Sequence, residues 1–332
     1  MNTHKQRLAV ARALTQEVSQ PKQFLVRSMN CLMAATIAGL LLTGCQKQDS
    51  SSTNDSKTAG ADRPAGAALP KEMATKLGPM VYVPAAEFLM GDDHGNPDEA
   101  PAHKVKLSAY WIDKFEVTHE MFAKVQLPDP SHWQDSPSKP VEQVRWRDAK
   151  QFCNERSHLE GLTPCYNEKT RDWDCDYSAN GYRLPTEAEW ECACRAGTQD
   201  PYDFGPVDKL RQYAWFAENS DQKTHAVGQK KPNGFGICDL YGNVSEWCED
   251  VYSPTYYRES PQVDPHGPPN PGRDVKRVIR GGSWKASANQ SRVTFRQGER
   301  TGDTDACFST DFCGFRCVRR TDAQAPGGTA SK

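Results

Sequence analysis

Between residues 77 and 320 helical periodicity surfaces three times and never runs long. Thr118 can cap a short helix whose apolar members are Met121, Phe122 and Val125. A second helix fits Trp146 to His158, with Ala149, Phe152 and Cys153 on one face. The third carries its own start signal: Pro185 precedes Thr186-x-x-Glu189, a capping box in which each side chain satisfies an orphan amide, and Gly197 supplies the stop. The rest is punctuated by turn residues, in a chain with 24 glycines and 23 prolines. Short strands fit between them. "MVYVPAAEFLMGDD" reads as a strand pair ending at Gly91, and "HKVKLSAYWIDKFEVT" alternates through Val105, Leu107, Ala109 and Trp111. Such a chain is an irregular α+β domain, rigid through turns, bridges and buried aromatic rings.

The two ends lie outside that domain. Lys5, Arg7, Arg12, Lys22 and Arg27 precede an apolar run from Leu32 to Leu42, which ends in Leu-Thr-Gly-Cys45. The run is too short for a stable membrane span, which needs about 20 residues, and it suits a secretory signal. Residues 1–44 are expected to be a lipoprotein signal peptide, with Cys45 as the lipidated first residue of the mature protein. Gln46 after it, rather than Asp, fits the periplasmic face of the outer membrane in a bacterial cell envelope. Residues 46–76 are Ser, Thr, Asp, Gly, Ala, Lys and Pro with few large apolar side chains, a tether unable to offset its ordering entropy. Residues 321–332 read the same way, which leaves one domain over 77–320.

A formal charge of -2 argues against a nucleic-acid partner. The basic clusters at Lys276 to Arg280 and Arg316 to Arg320 are expected to be solvated or to serve internal carboxylates. Twelve cysteines less Cys31 and Cys45 leave ten in the folded part, an even number expected to form mostly disulfides in an exported chain. Cys165 and Cys175 flank the charged segment "YNEKTRDWD", so a local bridge is expected there. No paired CxxC spacing points to zinc, and the scattered histidines make no HxxxH or HExxH. His119, beside Glu120 at a helix start, reads as a surface or capping residue.

Five stretches in order carry a resemblance across residues 78–320: "MVYVPAAEFLMG" with "YWIDKFEVT", "GYRLPTEAEWECACRAGT", "PNGFGICDLYGNVSEWCED", "RVIRGGSW" and "CGFRCVR". Together they resemble the formylglycine-generating enzyme, or sulfatase-modifying factor, family. The resemblance implies a C-type-lectin-like fold low in regular secondary structure. It also implies a structural calcium ion at "DLYGNVSE", with carboxylate oxygens from Asp239 and Glu246 and carbonyls from Gly242 and Val244, hard donors of the kind calcium takes. It further implies a disulfide between Cys194 and Cys317.

Family members that make formylglycine place two cysteines after the GGS turn, the first three residues beyond the Ser and the second five residues later. These hold copper(I), which thiolates select. Counted from Ser283, the two positions are Ala286 and Ser291, so copper chemistry is not expected here. Two readings follow. In one, the domain is an accessory or binding module that holds a peptide or protein partner near the membrane. In the other, it is a copper-independent oxidase or maturation enzyme acting on a peptide or siderophore precursor, as in branches of the family that lack the cysteines. In both, Ser283, Ser291, Arg292 and Arg296 are expected to line the cleft, where a Ser or Arg can orient a ligand or stabilise an anion.

Overall fold

The computed structural model describes residues 71–270, 272, 275–301 and 310–321, all within the compact unit of residues 63–332. The expected signal, the Cys45 anchor, Cys307 and the tail beyond Thr321 lie outside the described residues. Folding begins earlier than composition suggests: β1 (Glu72–Ala74) lies in the stretch read as tether. It pairs antiparallel with β2 (Pro79–Val83), and Met73 packs on the core. One apolar residue and three backbone pairings hold this edge, too little to register in a composition.

The strand pair expected around Pro84 forms as two strands in different sheets. The flanks of β2 are taken by β1 and β5 (Tyr110–Asp113), so β3 (Ala86–Met90) pairs instead with β4 (His103–Leu107). A third sheet has the order β8 (Arg296–Arg300), β7 (Lys276–Arg280), β6 (Ser245–Val251), β9 (Cys313–Gly314), with β9 parallel to β6. The closing strand β10 (Val318–Arg320) returns to β5.

All three helices form where expected. Thr118 Oγ1 accepts from the Met121 amide at the start of α1 (His119–Lys124). Helix α2 runs Trp146–Glu160 and stops at the left-handed Gly161, φ 73°. In α3 (Glu187–Arg195), Thr186 Oγ1 accepts from the Glu189 amide at 3.2 Å and Glu189 Oε2 accepts from the Thr186 amide at 2.8 Å. Every residue of α3 is buried, including three glutamates that have to find cations inside the protein.

The β6–β7 pair separates two cores, because successive side chains on a strand face opposite ways. Val278 and Cys248 face a cluster that contains Trp190 of α3, whereas Ile279 and Trp247 face a cluster with Trp146 and Phe152 of α2. Trp190 and Trp247 are completely buried, and each ring nitrogen keeps a partner: Glu246 Oε2 for Trp190 and the Val144 carbonyl for Trp247, both at 2.8 Å.

The thiols fall otherwise than the resemblance implies. The sulfur of Cys317 lies 3.7 Å from that of Cys153 on α2, whereas Cys194 belongs to the opposite core. The GFRC segment therefore faces α2, not α3. Cys165 and Cys175 come together at the base of the charged loop, where Tyr166 bridges to Cys175, and no S–S bond joins them here.

Candidate ligand cleft and acidic site

The turn after β7 is built from two left-handed glycines, Gly281 (φ 92°) and Gly282 (φ 73°). A Cβ on Gly282 would meet Ser291 Oγ at 2.7 Å, the Gln290 carbonyl at 2.9 Å and Ala286 Cβ at 3.2 Å. The two positions singled out in the sequence thus converge over one glycine, and they bring a methyl and a hydroxyl. The turn is tied down by Gly242 N to Gly281 O at 2.8 Å, Ser245 Oγ to Gly282 O at 2.9 Å and Trp284 N to Asn243 O at 2.8 Å. Beyond it a single 3-10 turn, Ala288–Ser291, is started by Ser287, whose Oγ accepts from the Gln290 amide. This second capping box has the Ser-x-x-Gln signature in sequence.

A cavity of about 130 Å³ opens against this turn, lined by Ser245, Ser283, Ala286, Gln290, Gln297 and Phe312, among others. Of the four cleft residues expected from sequence, Ser283 lines it. Ser291 is fully buried and donates to the Ser287 carbonyl at 3.2 Å. Arg292 makes a two-pronged pair with Glu99 at 2.7 and 2.8 Å. Arg296 does the same with Glu187 at 2.6 and 2.7 Å. Both arginines serve structural carboxylates, and the cleft is instead dressed by Ser245, Gln290 and Gln297. Among its described lining residues there is no thiol, imidazole or carboxylate.

Copper(I) selects soft thiolate or thioether sulfur, and the described lining offers hydroxyls, amides, the cations of Arg280 and Lys285 and a methyl, so these residues do not fit the metal.

The second site lies under the "DLYGNVSE" loop, which bends through positive φ at Asp239 (60°), Gly242 (99°) and Asn243 (57°). Here Glu116, Asp239 and Glu246, all buried, gather around one guanidinium, Arg316. Burial, reinforced by its acidic neighbours, pushes the Glu116 carboxyl well up. Burial pushes Asp239 up to about 6 despite a hydrogen bond from the Gly228 amide at 2.7 Å. Glu246 is engaged on both oxygens, by Arg316 at 2.7 Å and by the Trp190 ring nitrogen. Among the described residues no group of three His, Cys, Asp or Glu side chains is arranged to hold a metal. The calcium set implied by resemblance relies on two carboxylates and two carbonyls. The donors it would draw on are hard oxygens, from three carboxyls set beside one guanidinium. Asp239 is the better donor, and Glu246 would have to share its oxygens with Arg316. Glu116, which accepts from Asn243 Nδ2 at 2.6 Å and from the Val244 amide at 3.0 Å, was missed in the sequence. It stands in the unremarkable run "FEVT" and reaches the site only through the fold.

His119 also departs from its expected surface role. It is buried, and Nδ1 sits 2.6 Å from Asp129 Oδ2.

Residues 66–321 match the sulfatase-modifying factor enzyme 1-like domain. The chain belongs to this family. It is 33% identical over 323 residues to the formylglycine-generating enzyme of Streptomyces coelicolor, covering 82% of this chain and 98% of that one. Among solved structures, Treponema denticola variable protein 1 superposes with a TM-score of 0.69 at 33% identity, over 76% of this chain and all of the other. PvdO from Pseudomonas aeruginosa superposes with a TM-score of 0.63 at 26% identity, over 77% of this chain and all of that one. The family's irregular α+β fold is therefore the fold of this chain.

Proposed function

We propose that this sulfatase-modifying factor domain is a binding or accessory module that holds a peptide or protein segment in the Ser283 cleft without copper-dependent oxidation. The observation that carries the reading is the convergence of Ala286 and Ser291 over Gly282, where a soft metal would need sulfur. Fold alone does not transmit chemistry. The cleft suits one small side chain. Gln290, Gln297 and Ser245 supply amide and hydroxyl partners, and Phe295 and Phe312 supply apolar walls. Trp133 packs edge-on against Trp284 at 5.1 Å beside it. The likeness to the Streptomyces enzyme supports a second reading, a copper-independent maturation enzyme using the same cleft.

Oxygen uptake and peptide mass, measured with copper(I) on the purified protein and a peptide carrying Cys-x-Pro-x-Arg, separate these readings from the copper enzyme. The expected result is no uptake and no thiol-to-aldehyde mass loss. Turnover would overturn the proposal. Binding of the same peptide without turnover, weakened in Gln290→Ala, supports the module reading.

Calcium, in this proposal, is structural. It would rest on Asp239 and the carbonyls of Gly242 and Val244, with Glu246 shared, and would neutralise the excess acid at the loop. Chelation by EGTA is expected to lower the melting temperature of the native protein and to leave Asp239→Ala unchanged. An unchanged melting temperature in the native protein refutes a calcium role. The address is part of the same proposal: export under the 1–44 leader and anchoring through a lipid on Cys45, at the periplasmic face of the outer membrane. Among the described residues no helix is long and apolar enough to cross a membrane.

A further inference from the structure

A second cavity, of about 330 Å³, opens at the far end of the β6–β7 pair from the Ser283 turn, between the charged loop around Cys175 and the segment 266–270. This volume is at the small end of the range for small-molecule pockets. Its floor holds an anomaly. Arg277 is 7% exposed, yet no carboxylate among the described residues pairs with it. Nη1 donates to the Glu249 carbonyl at 2.9 Å, the guanidinium lies 3.9 Å over the Trp146 ring, and Nε is sealed without an acceptor. The carboxylate of Glu249, whose main-chain carbonyl Arg277 holds, is already committed. Lys150 Nζ holds one oxygen at 2.8 Å and the Tyr166 hydroxyl holds the other at 2.8 Å. At the floor, Lys150 and Arg277 face the single carboxylate of Glu249, with the acids Asp172 and Asp174 also among the lining residues, and a buried guanidinium without an anion of its own is costly.

The walls narrow the class of ligand. Tyr177 stacks on His266 with ring centroids 3.6 Å apart, and Pro268 continues that surface. Asn270 spends its carbonyl oxygen on the Gly272 amide at 3.0 Å, so its NH2 is left to donate. Asp172 and Asp174 also line the cavity, which disfavours a multiply charged anion. We propose that this cavity binds a small monocarboxylate with a flat or apolar body, its carboxylate held by Arg277 and its body laid against Tyr177, His266 and Pro268. A planar carboxylate matches the guanidinium fork and gives Arg277 the anion it lacks. The site is independent of the Ser283 cleft.

The test uses the purified full chain with benzoate, its neutral isostere benzamide, and inorganic phosphate at fixed ionic strength, followed by calorimetry and by saturation-transfer NMR. Benzoate is expected to saturate, with benzamide and phosphate much weaker. Arg277→Gln should weaken benzoate about tenfold, the effect of losing a charge-assisted hydrogen bond. Because Arg277 also packs on Trp146, a second variant at the rim guards against misfolding. Asn270→Asp leaves the core alone and should weaken benzoate by like-charge repulsion. Failure of benzoate to saturate, tighter binding of phosphate than of benzoate, or unchanged affinity in Asn270→Asp would each overturn the proposal.

Discussion

Arg277 and Arg280 stand three residues apart on one strand, and the protein treats them in opposite ways. Arg280 faces α3 and is held by Glu187 at 2.7 Å and Glu191 at 2.6 Å, while Arg296 closes on the same Glu187 from β8. Arg277 faces α2, where its guanidinium lies over the Trp146 ring and donates to a main-chain carbonyl rather than to a carboxylate. Strand alternation sets the difference, because the buried glutamates of α3 lie on one side of the sheet only. The end of the sheet that carries the Ser283 turn is thereby locked, and the other end keeps a cation in reserve. A locked turn suits a cleft that presents fixed hydroxyls and amides, whereas an unpaired guanidinium suits a site completed by its ligand.

The largest expected effect comes from unlocking the paired end. Glu187→Gln leaves Arg280 and Arg296 without their shared carboxylate in the interior, and breaking such pairs costs about 3–5 kcal/mol. A urea titration should show the midpoint fall steeply in this variant and much less in Arg277→Gln, which strands no carboxylate. Equal losses in the two variants would break the comparison.

Much of the fold was readable before any coordinates. The capping box at Thr186 and the Thr118 cap are local signals, and local signals survive into tertiary structure. The partners of the arginines were not readable. Arg292 and Arg296 sit next to the GGS turn in sequence, and that nearness suggested a cleft. Their carboxylates, Glu99 and Glu187, come from distant segments. For the same reason Glu116 went unnoticed, and Ser291 was expected to face the cleft although its hydroxyl turns back to the Ser287 carbonyl. The positions of Ala286 and Ser291 follow from the cysteine spacing that the family resemblance implies after the GGS turn, and the fold brings both against Gly282.

The thiols extend the comparison across the sheet. Cys153 and Cys317 lie on the α2 side, 3.7 Å apart and fully buried, and a modest shift brings them to bonding distance. Peptide mapping of the protein exported to an oxidising compartment is expected to recover a Cys153–Cys317 link. Reducing it should cost about 2–4 kcal/mol, the usual worth of a bridge that closes a long loop. Recovery of Cys194 linked to Cys317 would instead show that the GFRC segment is stapled to α3, and would require a different arrangement of the two cores.

The smallest effect sharpens the comparison at the locked end, where one acid lacks a base. Glu142 accepts from the Trp133 amide at 2.9 Å, behind the Trp133 and Trp284 pair. Its other oxygen is sealed without a partner, as is Nε2 of His119. Burial pushes the Glu142 carboxyl from 4.5 up to about 7. The sign follows from proton counting: between those two values the folded protein holds a proton that the unfolded chain releases, so this group's contribution to stability falls as pH rises from about 4.5 to about 7. Glu142→Gln removes the penalty at alkaline pH, by about 1–3 kcal/mol from a shift of this size. Urea midpoints of the native protein and the variant at pH 5 and pH 8 give the double difference, in which other titrating groups cancel. The variant should gain on the native protein at pH 8 and little or nothing at pH 5. A variant that loses stability equally at both pH values would show that the Glu142 carboxylate is paired after all, and that the locked end has no exception.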